Sequence, residues 1–336
     1  MRQEWFDHAR FGMFVHFGLY SGAARHEWVQ NYERLTDEDY RPYFEHFDPD
    51  LFDARALART AKDTGMGYVV LTTKHHDGFC LWDSQRTDFT AVAATGRDLV
   101  REYVAALRAE GLKVGLYHSV IDWHHPHFTV DWNHPRRDDA NAHELNVGRD
   151  MSIYREYLHA QVRELLTAYG EIDYLFFDFT YPGAKDGWSG KGPDDWDAAG
   201  LLALCRELQP NMLVNDRLGI PADFVTPEQY QPTAPIVRDG VALTWEACQT
   251  LNGSWGYDRD NTDQKSSTLL TQMLVDSVSM GGNMLLNIGP DGRGAIAPRD
   301  AATLGEIGEW MRLHGGAVIG AGHAEFTPPR EGVYTR

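Results

Sequence analysis

Apolar, strand-like runs alternate with helix-like segments along nearly the whole of this 336-residue chain. Eight runs read as strands: FGMFVHFG (11–18), YVVLTTKHHDG (68–78), KVGLYHSV (113–120), DYLFFDF (173–179), MLVNDR (212–217), FVTPEQY (224–230), LTWEACQT (243–250) and NMLLNIGPD (283–291). Apolar residues at helical spacing fill 54–65, 99–111, 154–170, 201–209, 268–282 and 301–316,. Near-continuous apolar strands alternating with helices imply a parallel sheet covered by those helices. Eight strands in about 280 residues predict closure into an α/β fold of the (β/α)8, TIM-like barrel type, one domain over 1–336,. No helix pattern separates strands six and seven. The segments 121–150 and 182–197 are long and polar, and they read as active-site loops rather than linkers,.

In a barrel of this kind, the C-terminal ends of the strands form the functional rim. The run 173–179 is apolar until Asp178, where a carboxylate stands at the edge of a core. An acid there also serves as a plain loop cap, so its company decides. Strand one ends in His16, and strand two in Lys74-His75-His76-Asp77. Strand three ends in Tyr117-His118, with Asp122-Trp123 just beyond. Strand five ends in Asn215-Asp216-Arg217, strand six carries Glu228, strand seven carries Trp245-Glu246, and strand eight ends in Asn287. So many polar groups on one rim make a site, because unpaired polar groups there would cost stability.

Composition narrows what that site handles. The formal charge of −18 disfavours a nucleic-acid backbone or an anionic membrane as partner,. No run approaches ~18 consecutive apolar residues, so no transmembrane helix is expected. The N-terminus reads as lacking a signal peptide. Cys80, Cys205 and Cys248 are widely spaced and form no CxxC pair, which excludes a disulfide framework and a thiolate zinc site,. Together these features lead us to expect a cytoplasmic protein. Ten Trp, 15 Tyr and 15 Phe suit carbohydrate faces, although most must fill the core,.

Two chemistries compete for the rim. Many His with an Asp is the layout of a zinc hydrolase. Against it, strand one offers one His and no His-x-His pair, and the adjacent His75 and His76 would point to opposite faces of a strand,. No catalytic metal is therefore expected. The alternative is glycoside hydrolysis with two carboxylates, one ionised nucleophile and one protonated acid. Asp178 suits the nucleophile, and Glu228 or Glu246 suits the acid. Neutral His, Tyr, Trp and Asn are what sugar hydroxyls and C–H faces need.

The blocks WFDHARFGMFVHFGLYS (5–21), EWV (27–29), KHHDGFCLWDS (74–84), GLYHSVIDW (115–123), DYLFFD (173–178), NDR (215–217), TPEQY (226–230), WEACQTLNGSWGY (245–257) and NMLLNIGPDGRG (283–294) resemble, in order, the α-L-fucosidases of glycoside hydrolase family 29. The resemblance implies a (β/α)8-like barrel that removes terminal α-L-fucose with retention and without a cofactor, acting on fucosylated oligosaccharides or glycoconjugates. The family nucleophile ends strand four and matches Asp178. Glu228 fits the acid/base best, with Glu246 as runner-up. By the same resemblance His16, His75, His76 and His118 hold the fucose hydroxyls, and Glu27 and Trp28 close the pocket. Arg217 sits beside the acid/base, while Phe176 and Trp245 pack near the fucose methyl. Trp82, Trp123 and Trp255 read as scaffold, Trp255 most of all. The chain departs from the family at Phe17, commonly Trp, and at Phe179, commonly Gly. It also stops soon after the last helix, so a C-terminal β-sandwich is expected to be absent or reduced to a tail over 321–336. Other readings stay open: a related glycosidase acting on a sugar such as α-L-galactose, or a non-catalytic fucose-binding barrel. Linkage preference and self-association stay open as well.

Overall fold

The computed structural model describes residues 3–323. Most of the expected tail therefore lies outside the described residues. Among them, nine strands form: β1 Phe11–Val15, β2 Tyr68–Lys74, β3 Lys113–Ser119, β4 Tyr174–Asp178, β5 Leu213–Val214, β6 Val237–Arg238, β7 Val241–Ala242, β8 Glu246–Thr250 and β9 Asn283–Ile288. Seven of these make one sheet in the order β5-β4-β3-β2-β1-β9-β8. Every pairing within it is parallel.

The sixth predicted strand, 224–230, appears as separate bridges that close the ring. Phe224 pairs with Asn215 after β5, while Val225 and Glu228 pair with Trp245 and Cys248 at β8. The backbone N–H of Glu246 donates to Val225 at 3.0 Å, that of Cys248 to Pro227 at 2.9 Å, and that of Gln229 to Cys248 at 3.0 Å. Two residues explain the irregularity. Pro227 has no N–H to give a ladder, and Gln229 sits at φ 49°, outside the strand region. A small antiparallel hairpin, β6-β7, stands where the missing helix would be.

Helices Ala54–Asp63, Leu99–Glu110, Met151–Ala168, Ala198–Leu208, Ser267–Ser279 and Pro298–His314 cover the outside, close to the segments predicted. Asp53 and Asp98 cap two of them by accepting backbone N–H groups of the first turn,. None of the described helices is long and apolar enough to cross a membrane. All three cysteines are buried and free.

The strand pleat divides the apolar residues into two cores. Outward residues such as Val69, Leu71, Leu116, Leu175 and Phe177 pack with the helices. Phe17 joins them, stacked on Phe52 with ring centroids 5.4 Å apart. Inward residues Phe14, Tyr68, Val70, Tyr117, Tyr174, Phe176, Phe224, Cys248 and Leu285 fill the barrel together with Phe6. At the lower end of this interior Glu246 accepts hydroxyl hydrogen bonds from Tyr174, at 2.6 Å, and from Tyr68. Tyr68 lies across Gly12, where a Cβ would come within 2.3 Å of its ring. Gly12→Ala should therefore destabilise the fold by about 1–3 kcal/mol through overpacking. A urea-denaturation midpoint equal to that of the parent protein would refute this account of the barrel floor.

Candidate active site

One cavity opens at the C-terminal ends of the barrel strands, lined by Phe14, His16, Glu27, Trp28, His75, His76, Tyr117, Phe176, Asp178, Phe179, Glu228, Cys248 and Trp255. Its position follows from β4. Tyr174, Phe176 and Asp178 alternate inward, so the carboxylate stands two layers above the Tyr174 ring,. Asn215 holds that strand end in place: its side-chain amide accepts from the Phe177 N–H and donates to the Phe177 carbonyl, both at 2.9 Å.

Arg217 joins the two candidate carboxylates. It lies in the short 3-10 turn Asp216–Leu218 after β5. Its guanidinium reaches Asp178 Oδ1 at 3.3 Å and Glu228 Oε2 at 2.8 Å, and it donates to the Thr226 carbonyl at 3.2 Å. The Tyr117 hydroxyl donates to Asp178 Oδ2 at 3.0 Å. Burial pushes the Asp178 carboxyl up; Arg217 and the Tyr117 hydrogen bond oppose this, the Glu228 charge adds to it, and the net value is about 6,. Glu228 itself is the more open of the two carboxylates, with 41% of its side chain exposed against 16% for Asp178.

Apart from Glu27, the polar groups of the walls are uncharged. His16 Nδ1 meets Asn287 Oδ1 at 2.6 Å, and the Asn287 amide donates to the Trp255 carbonyl at 2.7 Å. His76 Nδ1 meets the Ser119 hydroxyl at 2.6 Å. The His75 and His76 rings lie 4.0 Å apart. Burial lowers His16 to about 4 and His76 to about 3, and it carries His75 well below its ordinary value. All three are therefore uncharged near neutral pH and present one donor and one acceptor nitrogen each. The buried Glu27 carboxylate accepts from the Gly256 N–H at 2.8 Å and lies 3.3 Å from His26 Nδ1. Burial pushes its carboxyl up, but the His26 and Gly256 contacts outweigh that and leave it lowered. Trp28 packs on His76, Trp123 and Phe179, with ring centroids 4.9, 5.3 and 5.0 Å away.

The cavity thus gathers Asp178, Glu228, His16, Glu27, Trp28, His75, His76 and Phe176, with Arg217 behind them. It leaves out three predicted residues. His118 is fully buried and faces the helix layer, where its ring approaches the Thr73 hydroxyl at 3.3 Å and packs near Trp82. In β3 the pleat turns its neighbour Tyr117 inward instead. Trp245 precedes β8 at the opposite end of the barrel, and its indole fills the space over Gly282. Glu246 lies among the tyrosines at the barrel's lower end, one inward step below Cys248. Conversely, Trp255, expected as scaffold, lines the cavity 5.2 Å from the His16 ring. His75 and His76 share one cavity because β2 ends at Lys74, so strict alternation no longer governs them. Lys74 turns outward into a buried ion pair with Asp122 at 3.1 Å. Among the described residues, no group of three or more His, Cys, Asp or Glu is arranged to hold a metal.

A sequence model of the α-L-fucosidase family matches residues 1–316. The chain belongs to the α-L-fucosidase family. The tissue α-L-fucosidase of Mus musculus is 31% identical, over 94% of this chain and 71% of its own length. The solved α-L-fucosidase isoenzyme 1 from Paenibacillus thiaminolyticus superposes with a TM-score of 0.94 at 47% identity, covering 100% of this chain and 81% of that one. A Bacteroides thetaiotaomicron α-L-fucosidase of glycoside hydrolase family 29, described as a trapped covalent intermediate with 2-fluoro-fucosyl fluoride, has a TM-score of 0.85 at 30% identity and covers 100% and 80% of the two chains. The fold is therefore the family's barrel.

The position of Glu246 has a measurable consequence. Burial raises its carboxyl to about 7, against the lowering effect of the two tyrosine hydroxyls. In the unfolded chain it ionises near its ordinary value of ~4.3. Between those values the folded state holds more protons than the unfolded one, so its contribution to stability is present at low pH and lost as pH rises through about 7,. Glu246→Gln should accordingly gain stability over the parent at pH 8 relative to pH 5, by on the order of 2–3 kcal/mol. Parallel stability profiles for the two proteins across that range would contradict the buried placement.

Proposed function

We propose that this protein is a retaining exo-α-L-fucosidase that removes terminal α-L-fucose from fucosylated glycans, with Asp178 as nucleophile and Glu228 as general acid/base. The observation that carries the reading is the Arg217 guanidinium shared by Asp178 and Glu228. It stands behind these two carboxylates, in a cavity walled besides by uncharged imidazoles, aromatic rings and the Glu27 carboxylate. Neutral imidazoles at His16, His75 and His76 hydrogen-bond the ring hydroxyls. Phe14, Phe176 and Trp255 cover the C–H faces and the methyl group. The covalent intermediate described for the Bacteroides relative supports retention.

Asp178 attacks C1 as the carboxylate, and the bond from C1 to the leaving oxygen breaks. Glu228 delivers its proton to that oxygen. The ionised Glu228 then takes a proton from water, whose oxygen attacks C1 and releases Asp178. Tyr117 and Arg217 position Asp178 from two sides, each through one of its oxygens. These charges supply the catalysis, so chelators should leave turnover unchanged.

Hydrolysis of p-nitrophenyl α-L-fucoside with and without EDTA, following the anomer formed by NMR, tests the reading. Retained configuration and insensitivity to EDTA are the expected results. Inversion, or loss of turnover with EDTA, would sink it. Asp178→Asn should lower kcat/KM roughly a thousand-fold or more. Glu228→Ala should lose roughly 10²–10⁴-fold and be rescued by azide on aryl fucosides. The nucleophile must be ionised, so kcat/KM should rise with pH through a limb near 6. Removing the cation in Arg217→Met should move that limb upward, because Arg217 is the largest of the effects that hold the Asp178 value down. A limb that stays put would separate it from Asp178.

A further inference from the structure

Phe179, directly after the nucleophile, holds a backbone conformation that a bulky residue rarely adopts. Its φ is 80°, in the left-handed region that favours glycine,. Such a conformation persists only when the surroundings over-determine it. Here the surroundings are aromatic. The Phe179 ring sits 5.0 Å from Trp28, 5.0 Å from His76 and 5.4 Å from Tyr181 by ring centroids. Tyr181 is fixed in turn, its hydroxyl donating to Asp131 at 2.7 Å. Lys191 ties the same carboxylate to the Thr129 carbonyl, to which it donates at 2.8 Å. Trp132 packs edge-on to Tyr181 at 5.1 Å, and its indole N–H donates to the Gly183 carbonyl at 2.9 Å.

The result is a continuous chain of packed rings. Trp28 and Phe179 line the cavity, and the buried Tyr181 supports Phe179 from behind and links it to the half-buried Trp132, on loops pinned by a buried Asp131–Lys191 pair. A strained residue offers no gain to a core that glycine would serve as well. Phe179 and Trp28 line the cavity that the leaving group must share.

We infer that Phe179 is a specificity-determining residue whose ring, with Trp28 beside it and Tyr181 supporting it, takes the C–H face of the sugar to which fucose is attached. This rests on the fucosidase reading above and adds to it the recognition of the leaving group. A flat ring contributes to sugar binding through face contact and excludes water there, and it does so only when the leaving group carries a face to cover. A leaving group of one atom makes no use of it.

The test follows from that difference. Wild type, Phe179→Gly and Phe179→Leu are assayed on α-L-fucosyl fluoride and on the best-cleaved member of a panel of α1,2-, α1,3/4- and α1,6-fucosylated oligosaccharides. Glycine relieves the positive φ, and leucine keeps apolar bulk without the flat face, so one of the two remains informative if the other folds poorly. The ratio of kcat/KM for oligosaccharide over fluoride should fall roughly tenfold in Phe179→Gly, with a smaller fall in Phe179→Leu, carried mainly by KM for the oligosaccharide. A parallel fall on both substrates would make Phe179 a prop for Asp178 and overturn the inference, as would an unchanged ratio. Wild type that leaves both substrates intact would instead bring down the fucosidase reading itself.

Discussion

The inward face of a closed parallel barrel is a stack of layers, and each strand contributes to it only every second residue. That constraint orders the whole interior of this protein. At the lower end, Glu246 is enclosed by the hydroxyls of Tyr68 and Tyr174. Above it come Phe14, Phe176 and Leu285, and above those Tyr117, His16 and Asp178 meet the cavity. Polarity therefore changes twice along the axis. The aromatic middle separates two carboxylates, and only the upper one is open to a ligand.

The cavity's electrostatics follow from the same layering. Burial strips charge from His16, His75 and His76 and raises Asp178, so a single strong cation, Arg217, dominates the field near the carboxylates. Uncharged imidazoles favour a neutral, hydroxyl-rich ligand, since both ring nitrogens find work without a counter-charge. Other rim groups serve the architecture: Lys74 pairs with Asp122, and Asp77 accepts from the Tyr40 hydroxyl at 2.9 Å.

Much of this was legible in the chain. The apolar alternation marked the strands and the six long helices, and it marked the gap between strands six and seven, which the β6-β7 hairpin occupies. Asp178, His16 and Phe176 were readable because they sit at or beside regular strands, where parity assigns a face. Parity also separates Tyr117, on the inward face, from His118, whose imidazole suits a sugar site by residue type alone. Glu246 and Trp245 misled for a different reason. Both lie near the start of β8, so they mark the barrel's lower end, whereas the cavity belongs to the strands' far ends. Trp255 carried no local signal, since a loop returns it to His16. The shared cavity of His75 and His76 depended on where β2 stops, a boundary that hydrogen bonding sets and spacing does not.

Asp178 and Glu228 are held in unequal ways. The strand of Asp178 has a full parallel neighbour in β3 and an amide clasp from Asn215. Glu228 rides on a segment joined to its neighbours by separate bridges, broken by Pro227 and by the left-handed Gln229, with no covering helix before the next strand. The barrel's closure makes few demands on the side chains there. Substitution is consequently cheap around Glu228 and expensive around Asp178. One carboxylate is thus part of the scaffold, while the other is held chiefly by the cation it shares and can move without disturbing the barrel.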